Sequence, residues 1–382
     1  MKYNFDEIVP RRGTESVKWD VCAPGALPMW VADMDFKAAP EILEALQKRL
    51  DHGVFGYQTV PDDYFEAVGR WFERRHGWKG IGRENIVPTT GVIAAYSAAI
   101  KAMTVPGDKV IVMTPCYNAF FPAIRNNKCV ELDCALKYDG LWSIDFEDLE
   151  RKAAEARVLL LCNPHNPVGR VWTLDELTEV AEICRRYGVT VIADEIHCDF
   201  IRPGIKFTSF ATLGDEYKQK LILCTAPSKT FNLAGLQVSN IWIPNPDIRG
   251  RFKKQNQANG YNEVNILGMT AAEACYTLGK PWLEALKEYL EGNISYVKEF
   301  LAKNIPSVHL VEPEGTYLLW LDFHETGLSN EEVKERVEGK ARLWLDHGDI
   351  FGEGGELFER INIACPRNIL EQAMKQLAEA FK

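Results

Sequence analysis

The middle of the chain alternates short, continuously apolar runs with longer segments of helical periodicity. A strand that is covered on both faces has no polar side, so it reads as an uninterrupted apolar run. Such strands, separated by helices, predict an α/β fold with a mostly parallel central sheet. The predicted buried strands are residues 110–113, 158–162, 189–193 and 221–224.

The predicted helices lie before and between these strands, as βαβ units require. The clearest is 174–187, because Thr173 precedes it and Glu176 follows three residues later, which is the capping-box pattern. The other predicted helices of this part of the chain are residues 40–50, 62–75 and 91–103.

The C-terminal part of the chain changes character and predicts a smaller α+β domain. A length of 382 residues exceeds what one compact core usually holds, which favours two domains. We predict a large domain at 46–280 and a small domain formed by 1–45 together with 281–382. The elements predicted for the small domain are helices at 282–303 and 370–381 and strands at 316–322 and 358–364.

Composition and charge exclude several classes of protein. A net charge of -10 opposes binding to phosphate backbones, so nucleic acid is not an expected partner. The start, MKYNFDEIVPRRG, lacks the pattern of a signal peptide, and the apolar runs are far shorter than the roughly 20 residues of a membrane span. The ten cysteines include no CxxC pair, which favours reduced thiols and no metal site. The sequence thus predicts a soluble, cytoplasmic protein without membrane contact.

Polar and aromatic residues follow the predicted strands at one edge of the sheet. Tyr117 comes after the first of these strands, Asn166 after the second, Asp194 after the third and Lys229 after the fourth. Ligands of open α/β sheets bind beyond the carboxyl ends of the strands, so these side chains should lie close together. Gly91 opens a predicted helix nearby, and a helix N-terminus offers free N–H groups to a phosphate. The pattern predicts one ligand site.

Five phrases of the sequence carry a family resemblance: LPMWVADMDF, NPHNPVG, ADEIHCDF, TAPSKTFNLAGLQ and ERINIACPR. They resemble the cystathionine β-lyase or C-S lyase branch (MalY/PatB-like) of the fold-type I, aspartate aminotransferase-like enzymes, and the resemblance extends along essentially the whole chain. It implies a pyridoxal 5'-phosphate (PLP) cofactor, a small-molecule amino-acid substrate and a homodimer with shared active sites.

The resemblance implies three catalytic residues. Lys229, which the sequence context places in a loop after Ser228, would carry the cofactor covalently and then take the α-proton of the substrate. Asp194 would keep the pyridine nitrogen protonated, which makes the cofactor an electron sink. Tyr117 would stack on the cofactor ring. Each residue also has a plainer interpretation, as a surface lysine, a strand-end carboxylate and a tyrosine of the core.

The rest of the cofactor site is implied in the same way. Asn166 would hydrogen-bond the phenolic oxygen of PLP and contact the substrate, although an Asn at this place also suits a simple turn. His197 would lie nearby, with a direct bond to that oxygen left open. The phosphate would be held by the backbone amides of Val92 and Ile93 and by the Ser228 hydroxyl.

Two further contacts are implied at the ends of the site. Tyr57 would reach the phosphate of the neighbouring subunit, unless it packs within its own. Arg360 would clamp the substrate α-carboxylate, because its planar fork suits that group, unless it is an exposed strand residue. The backbone around Val31 and Ala32 would close over the same carboxylate.

The residues alone leave three functions open. A β-lyase would cleave cystathionine or another cysteine S-conjugate to a thiol, pyruvate and ammonia. An aminotransferase would share every step up to removal of the α-proton, and a non-catalytic regulatory protein can use the same fold. Gln237 stands eight residues after Lys229, where many aminotransferases have an arginine, and this favours the lyase. Asn118 stands where some relatives have a second tyrosine, so a tyrosine-assisted departure of the thiol is not predicted.

Overall fold

The structure is a computed structural model that describes residues 3–261 and 263–382. Its strands are β1 (Leu27–Pro28), β2 (Ile86–Thr89), β3 (Lys109–Val112), β4 (Val130–Asp133), β5 (Lys137–Tyr138), β6 (Trp142–Ser143), β7 (Ala156–Cys162), β8 (Thr190–Asp194), β9 (Leu221–Thr225), β10 (Ser239–Trp242), β11 (His309–Leu310), β12 (Leu318–Asp322), β13 (Leu343–Trp344), β14 (Asp346–His347) and β15 (Phe358–Asn362).

The α-helices complete the architecture. They are α1 (Val17–Asp20), α2 (Pro40–His52), α3 (Asp62–His76), α4 (Val92–Met103), α5 (Phe120–Asn126), α6 (Phe146–Ala153), α7 (Leu174–Tyr187), α8 (Pro227–Thr230), α9 (Pro246–Ala258), α10 (Ile266–Leu278), α11 (Lys280–Asn304), α12 (Asn330–Lys334) and α13 (Arg367–Ala380).

A seven-stranded sheet forms the centre of the molecule, in the order β2-β10-β9-β8-β7-β3-β4. The five strands from β9 to β4 run parallel, whereas β10 is antiparallel to both β9 and β2. The α/β fold with a mostly parallel central sheet is therefore confirmed.

Apolar side chains cover both faces of this sheet, which explains the uninterrupted apolar runs. In β7, Leu159 and Leu161 pack into one hydrophobic core, whereas Val158 and Leu160 pack into a second core. All four are at most 1% exposed. Burying each such side chain contributes about 1.5–3 kcal/mol, so a polar substitution at any of them would destabilise the sheet.

The predicted elements agree with the observed ones to differing degrees. The four predicted buried strands correspond to β3, β7, β8 and β9, and α7 has the predicted bounds with Thr173 and Glu176 forming a capping box. The sequence did not predict β2, β4 and β10. The edge strand β4 has one exposed and three partly buried side chains, so no continuous apolar run marks it.

A four-stranded antiparallel sheet, β11-β12-β15-β14, lies in the C-terminal part of the chain. The N-terminal segment joins it. Strand β1 pairs with β13, and residues 29–36, which we call the strap, run on past β15. The Asn362 N–H donates to the Met29 carbonyl at 2.7 Å, and the Asp35 N–H donates to the Ala364 carbonyl at 2.9 Å. These contacts support the predicted division of the chain into two domains. On this ground we propose a large domain at 46–280 and a small domain formed by 1–45 with 281–382. Helix α2 continues across residue 45.

A buried ion cluster holds the strap from its outer side. The Lys18 side chain is 0% exposed and donates from Nζ to Asp35 at 2.8 Å. Arg11 contacts Asp33 at 2.7 Å and Asp35 at 3.0 Å, and the Trp19 indole N–H donates to Asp35 at 2.8 Å. Removing one partner of a buried ion pair costs about 3–5 kcal/mol, so this cluster fixes the course of the strap.

Two observations concern the environment of the chain. None of the helices in the described ranges combines the length and the apolar character that a membrane crossing requires. All ten cysteines are buried free thiols.

Candidate active site

A cavity of about 540 Å³ lies beyond the carboxyl ends of β3, β7, β8 and β9. Small-molecule and cofactor sites typically enclose about 300–1,000 Å³, so the size suits such a ligand. Gln237 lines the cavity, whereas Val31, Arg360 and Tyr57 do not. Nine residues that the sequence predicts for the site line it together: Ala32, Val92, Ile93, Tyr117, Asn166, Asp194, His197, Ser228 and Lys229.

Lys229 lies on α8, a single helical turn, and not in a loop as its sequence context predicts. Pro227 at the first position of α8 has a backbone angle preset for a helix, which explains the difference. The Lys229 Nζ donates to the Ala32 carbonyl of the strap at 3.1 Å. Burial lowers the pKa of the Lys229 amine to about 8, against the opposing charges of Asp33 and Asp194. Such an amine is partly neutral near physiological pH, as a nucleophile or a proton acceptor must be.

Asp194 is the last residue of β8 and is only 3% exposed. Its Oδ1 accepts a hydrogen bond from the Ile196 N–H at 3.1 Å. Burial raises the pKa of this carboxyl to about 7, although that hydrogen bond and the charge of Lys229 oppose the rise. A carboxyl in this environment becomes fully ionised when a ligand brings a positive charge to it.

The amino end of α4 faces the same cavity through Val92 and Ile93. Gly91, which precedes the helix, has a φ of 141°, a conformation that favours glycine. The first N–H groups of any helix have no partner within the helix, and no side chain of the described residues caps those of α4. These groups and the positive end of the helix dipole suit a phosphate. Ser228 lines the cavity as well.

Arg360 lies behind the cavity and reaches it through Asn166. Its Nη1 donates to the Asn166 Oδ1 at 2.9 Å, and its Nη2 donates to the Trp30 carbonyl at 3.1 Å. The guanidinium also pairs with Asp346. The Arg360 Nε is buried and has no hydrogen-bond partner among the described residues. The guanidinium is therefore fixed in place and keeps one donor unused.

The strap forms the wall between α8, which bears Lys229, and the four-stranded sheet. The Ala32 carbonyl accepts hydrogen bonds from Lys229 and, at 2.8 Å, from the Tyr317 hydroxyl. The Val31 carbonyl accepts from the Asn362 side chain at 2.6 Å, so it is engaged away from the cavity. The Asn232 side chain, three residues after Lys229, accepts from the Met34 N–H at 2.9 Å and ties the strap to α8.

Two rings contribute flat surfaces to the cavity. His197 is 3% exposed, and its Nδ1 is buried without a hydrogen-bond partner in the described part of the chain. Burial, together with the charges of Lys229 and Arg360, lowers the pKa of His197 to about 3, so the imidazole is neutral. Burial also raises the pKa of the Tyr117 hydroxyl. Both rings are uncharged at neutral pH and suited to pack on a flat ligand.

Tyr57 lies outside this cavity and is 98% exposed. Its neighbours Val54 and Phe55 are 61% and 54% exposed. A contiguous set of exposed apolar side chains is typical of a surface that meets another molecule. Within one chain, Tyr57 is not brought to the site.

The enzyme class of the chain follows from its similarity to known protein families. The model for class I and II aminotransferases matches residues 28–377, a range that includes both large sheets and the whole cavity. The chain belongs to this family. Cystathionine β-lyase PatB of Bacillus subtilis (strain 168) is 44% identical and covers 99% of this chain and 100% of the relative. Protein MalY of Escherichia coli (strain K12) is 35% identical, with 100% and 99% covered.

A solved structure of the family agrees with this assignment. Cystalysin from Treponema denticola, whose crystal structure contains a pyridoxal 5'-phosphate cofactor, superposes with a TM-score of 0.96 at 39% identity. The match covers 100% of this chain and 99% of that chain. This member of the class I and II aminotransferase family therefore has the fold-type I, aspartate aminotransferase-like fold.

Sequence reasoning missed several residues that shape the site in this family member. Asp346 pairs with Arg360, Tyr317 bonds the strap, and Asn362 holds the Val31 carbonyl. No local pattern marks them, because their partners lie on other elements. Asn232 is the exception, since it belongs to the SKTFN run that carries Lys229.

Proposed function

We propose that the chain is a PLP-dependent carbon-sulfur β-lyase that cleaves cystathionine or a related cysteine S-conjugate to a thiol, pyruvate and ammonia. The observation that carries the proposal is a full-length relationship to cystathionine β-lyase PatB at 44% identity, in a chain whose cavity holds Lys229 and Asp194 together. Gln237 lines this cavity at the place where many aminotransferases have an arginine, which also favours the lyase.

The cavity fits PLP on physical grounds. Asp194 is a buried carboxyl with a pKa of about 7, and a protonated ring nitrogen is the cation that such a group stabilises. The uncapped start of α4 at Val92 and Ile93 suits the phosphate, with the Ser228 hydroxyl beside it. Tyr117 and the ring of His197, whose Nδ1 has no hydrogen-bond partner among the described residues, suit the flat face and the edge of the cofactor. Asn166 would hold the phenolic oxygen.

The chain's own residues divide the remaining work. Bound PLP supplies an electron sink for the bond that breaks at the substrate α-carbon. Lys229, once free of the cofactor, takes the α-proton on Nζ, for which a pKa of about 8 is suitable. Departure of the thiolate from the β-carbon, followed by hydrolysis, gives pyruvate and ammonia.

The substrate carboxylate belongs at Arg360 in this proposal. The guanidinium is already oriented by Asn166 and Asp346, so little conformational freedom is lost when it binds an anion. The strap at Val31 and Ala32 would close over the same carboxylate and exclude water from it. A small amino acid is the substrate class that these contacts select.

We also propose a homodimer whose active sites are shared, with Tyr57 reaching the phosphate in the partner's site. The support is the 98% exposure of Tyr57 and the apolar surface that Val54 and Phe55 form beside it. A cytoplasmic location is proposed because all ten cysteines are buried free thiols, as is usual in a reducing compartment.

The decisive experiment measures dependence on an acceptor. The purified holoenzyme is given cystathionine without any keto acid, and pyruvate, ammonia and free thiol are followed over many turnovers. A lyase needs no second substrate and keeps turning over. If turnover stops after about one equivalent and resumes only when a keto acid is added, the chain is an aminotransferase and the lyase proposal is wrong.

A further inference from the structure

A second and larger cavity, of about 950 Å³, lies between α3, the turn that follows β8 and the start of α11. Part of its wall is aromatic, from Trp71, Phe207 and Tyr276. The charged side chains that line it are six cations, Arg70, Arg74, Arg75, Lys206, Lys280 and Lys287, and two carboxylates, Asp199 and Glu284.

The two carboxylates do not neutralise the cavity. Both are taken by Arg75, which contacts Asp199 at 2.8 Å and Glu284 at 2.7 Å. No carboxylate of the described residues lies within 4.0 Å of the charged nitrogens of four other cations, which are Arg74, Lys206, Lys280 and Lys287. Because the whole chain has a net charge of -10, this concentration of unpaired positive charge is a local property of the cavity.

A buried histidine lies in the same wall, next to Asp199. The His76 side chain is 5% exposed, and its Nε2 is buried without a hydrogen bond in the described ranges, 3.4 Å from the Asp199 carboxylate. Phe207 packs edge-on against the imidazole, with the ring centroids 5.1 Å apart. Because Asp199 is its neighbour, His76 does not itself need a ligand, and the attraction of the cavity for an anion comes from its cations.

We propose that this cavity binds a small polyanion, a molecule with two or more phosphate or carboxylate groups. The unpaired cations come from three separate elements, Arg74 on α3, Lys206 after β8, and Lys280 with Lys287 on α11. Charges arranged around an opening of this size suit several anionic groups of one ligand rather than a single ion. The site is separate from the proposed PLP site, with which it shares none of its lining residues.

A metal ion is the competing occupant. One ligand atom each from His76, Cys198 and Asp199 lies within 4.8 Å of the others. However, Asp199 already accepts hydrogen bonds from Arg75 at 2.8 Å and Thr230 at 2.9 Å. Burial raises the pKa of the Cys198 thiol well above its ordinary value, so releasing its proton to serve as a ligand is less favourable than for an exposed thiol. The surrounding cations repel a further positive charge, and the anion is favoured.

The test uses isothermal titration calorimetry on the holoenzyme, whose bound cofactor occupies the phosphate cradle at α4. Inorganic tripolyphosphate and citrate are titrated separately in a buffer without phosphate. We expect at least one of them to bind once per chain, more weakly as salt is raised. Tighter binding of tripolyphosphate assigns the site to phosphorylated ligands, and tighter binding of citrate assigns it to polycarboxylates.

Matched variants separate this site from general attraction. The double variant Lys206→Gln/Lys280→Gln should weaken binding by about tenfold or more, because two of the charges that contact the anion are lost. Lys303→Gln/Lys375→Gln, which removes two exposed lysines elsewhere, should leave it unchanged. All four positions are exposed, so both variants should fold and keep the cofactor absorbance.

Three results would overturn the proposal. The first is no heat of binding with either anion at millimolar concentration. The second is equal weakening by the two double variants, since this would show only attraction to surface lysines. The third is stoichiometric binding of Zn²⁺ that His76→Gln abolishes, with neither anion bound, since the cavity would then be a metal site.

Discussion

Asn166 accepts a hydrogen bond of 2.9 Å from Arg360, and this contact joins the loop after β7 to strand β15 of the other sheet. The two side chains are 194 residues apart in sequence. Asn166 lines the cavity, and Arg360 stands behind it with Asp346 as its ion-pair partner. The position proposed for the substrate carboxylate therefore depends on how the two sheets are held together.

Replacing Arg360 by lysine should raise KM for cystathionine by about 10- to 100-fold while kcat changes only a few-fold. A lysine keeps the charge but loses the planar fork, and contacts made equally in the ground state and the transition state appear in KM. Steady-state kinetics of pyruvate release measure this. Arg157→Lys, at a side chain that is 69% exposed, is the matched control. An unchanged KM would place the substrate carboxylate elsewhere.

Replacing Lys229 by alanine should abolish covalent attachment of the cofactor and reduce turnover at least about 1,000-fold, because both the attachment point and the proton acceptor are lost. Borohydride reduction followed by peptide mass spectrometry shows where PLP is fixed in the unmodified enzyme. The control Lys375→Ala changes an exposed lysine and should have no effect. Recovery of the reduced cofactor on another lysine would show that Lys229 is not the attachment site.

Replacing Asp194 by asparagine should stabilise the cofactor-free protein in a pH-dependent way. Burial raises the pKa of Asp194 from 3.8 to about 7, so the folded protein retains a proton that the unfolded chain releases between these values. Wild-type stability is therefore lost as the pH rises through this window, by up to about 4 kcal/mol, and asparagine avoids the loss. The variant's advantage in urea denaturation should grow by roughly 2–3 kcal/mol from pH 5 to pH 8.

The same substitution should have the opposite effect on function. With PLP present, the Asp194 carboxylate is proposed to stabilise the protonated ring nitrogen of the cofactor. The wild-type holoenzyme should therefore turn over orders of magnitude faster than Asp194→Asn. Equal stability of the two cofactor-free proteins at all pH values, or equal turnover of the two holoenzymes, would contradict the proposed role.

Inactive subunits should complement each other if Tyr57 serves the partner's site. Random exchange between equal amounts of Lys229→Ala and Tyr57→Ala chains makes half the dimers mixed, each with one intact site, so activity should return to about a quarter of the wild-type level. Mass spectrometry of the intact dimers confirms the exchange. If mixed dimers form and activity stays at the level of the separate variants, each site is built within one chain.

The sequence predicted best what is determined locally. Strand β7 is covered on both faces and α7 begins at a capping box, so each carries its signal within its own residues. The candidate site was predictable as far as strand ends converge, which places Tyr117, Asn166 and Asp194 in one cavity. Lys229 was placed correctly at the cavity, although on a helical turn rather than in a loop.

What the sequence did not predict depends on contacts between distant segments. Asp346 has no motif of its own and matters only because β14 pairs with β15 beside Arg360. Tyr317 reaches the Ala32 carbonyl across 285 residues of sequence. The sequence does not predict the cationic cavity for the same reason. Its cations belong to α3, α11 and the segment after β8, and they meet only in the folded chain.

The strap also fixes the order in which the enzyme can mature on the ribosome. It is synthesised early, but one of its anchors, the side chain of Asn362, lies 331 residues beyond Val31. At about 5–20 residues per second the strap waits on the order of 15–65 seconds for this partner. A nascent chain halted before β15 can complete the seven-stranded sheet and the turn that bears Lys229, yet the strap beside the position proposed for the substrate carboxylate lacks its anchor at Asn362. Activity should therefore appear only after the last strand has left the exit tunnel.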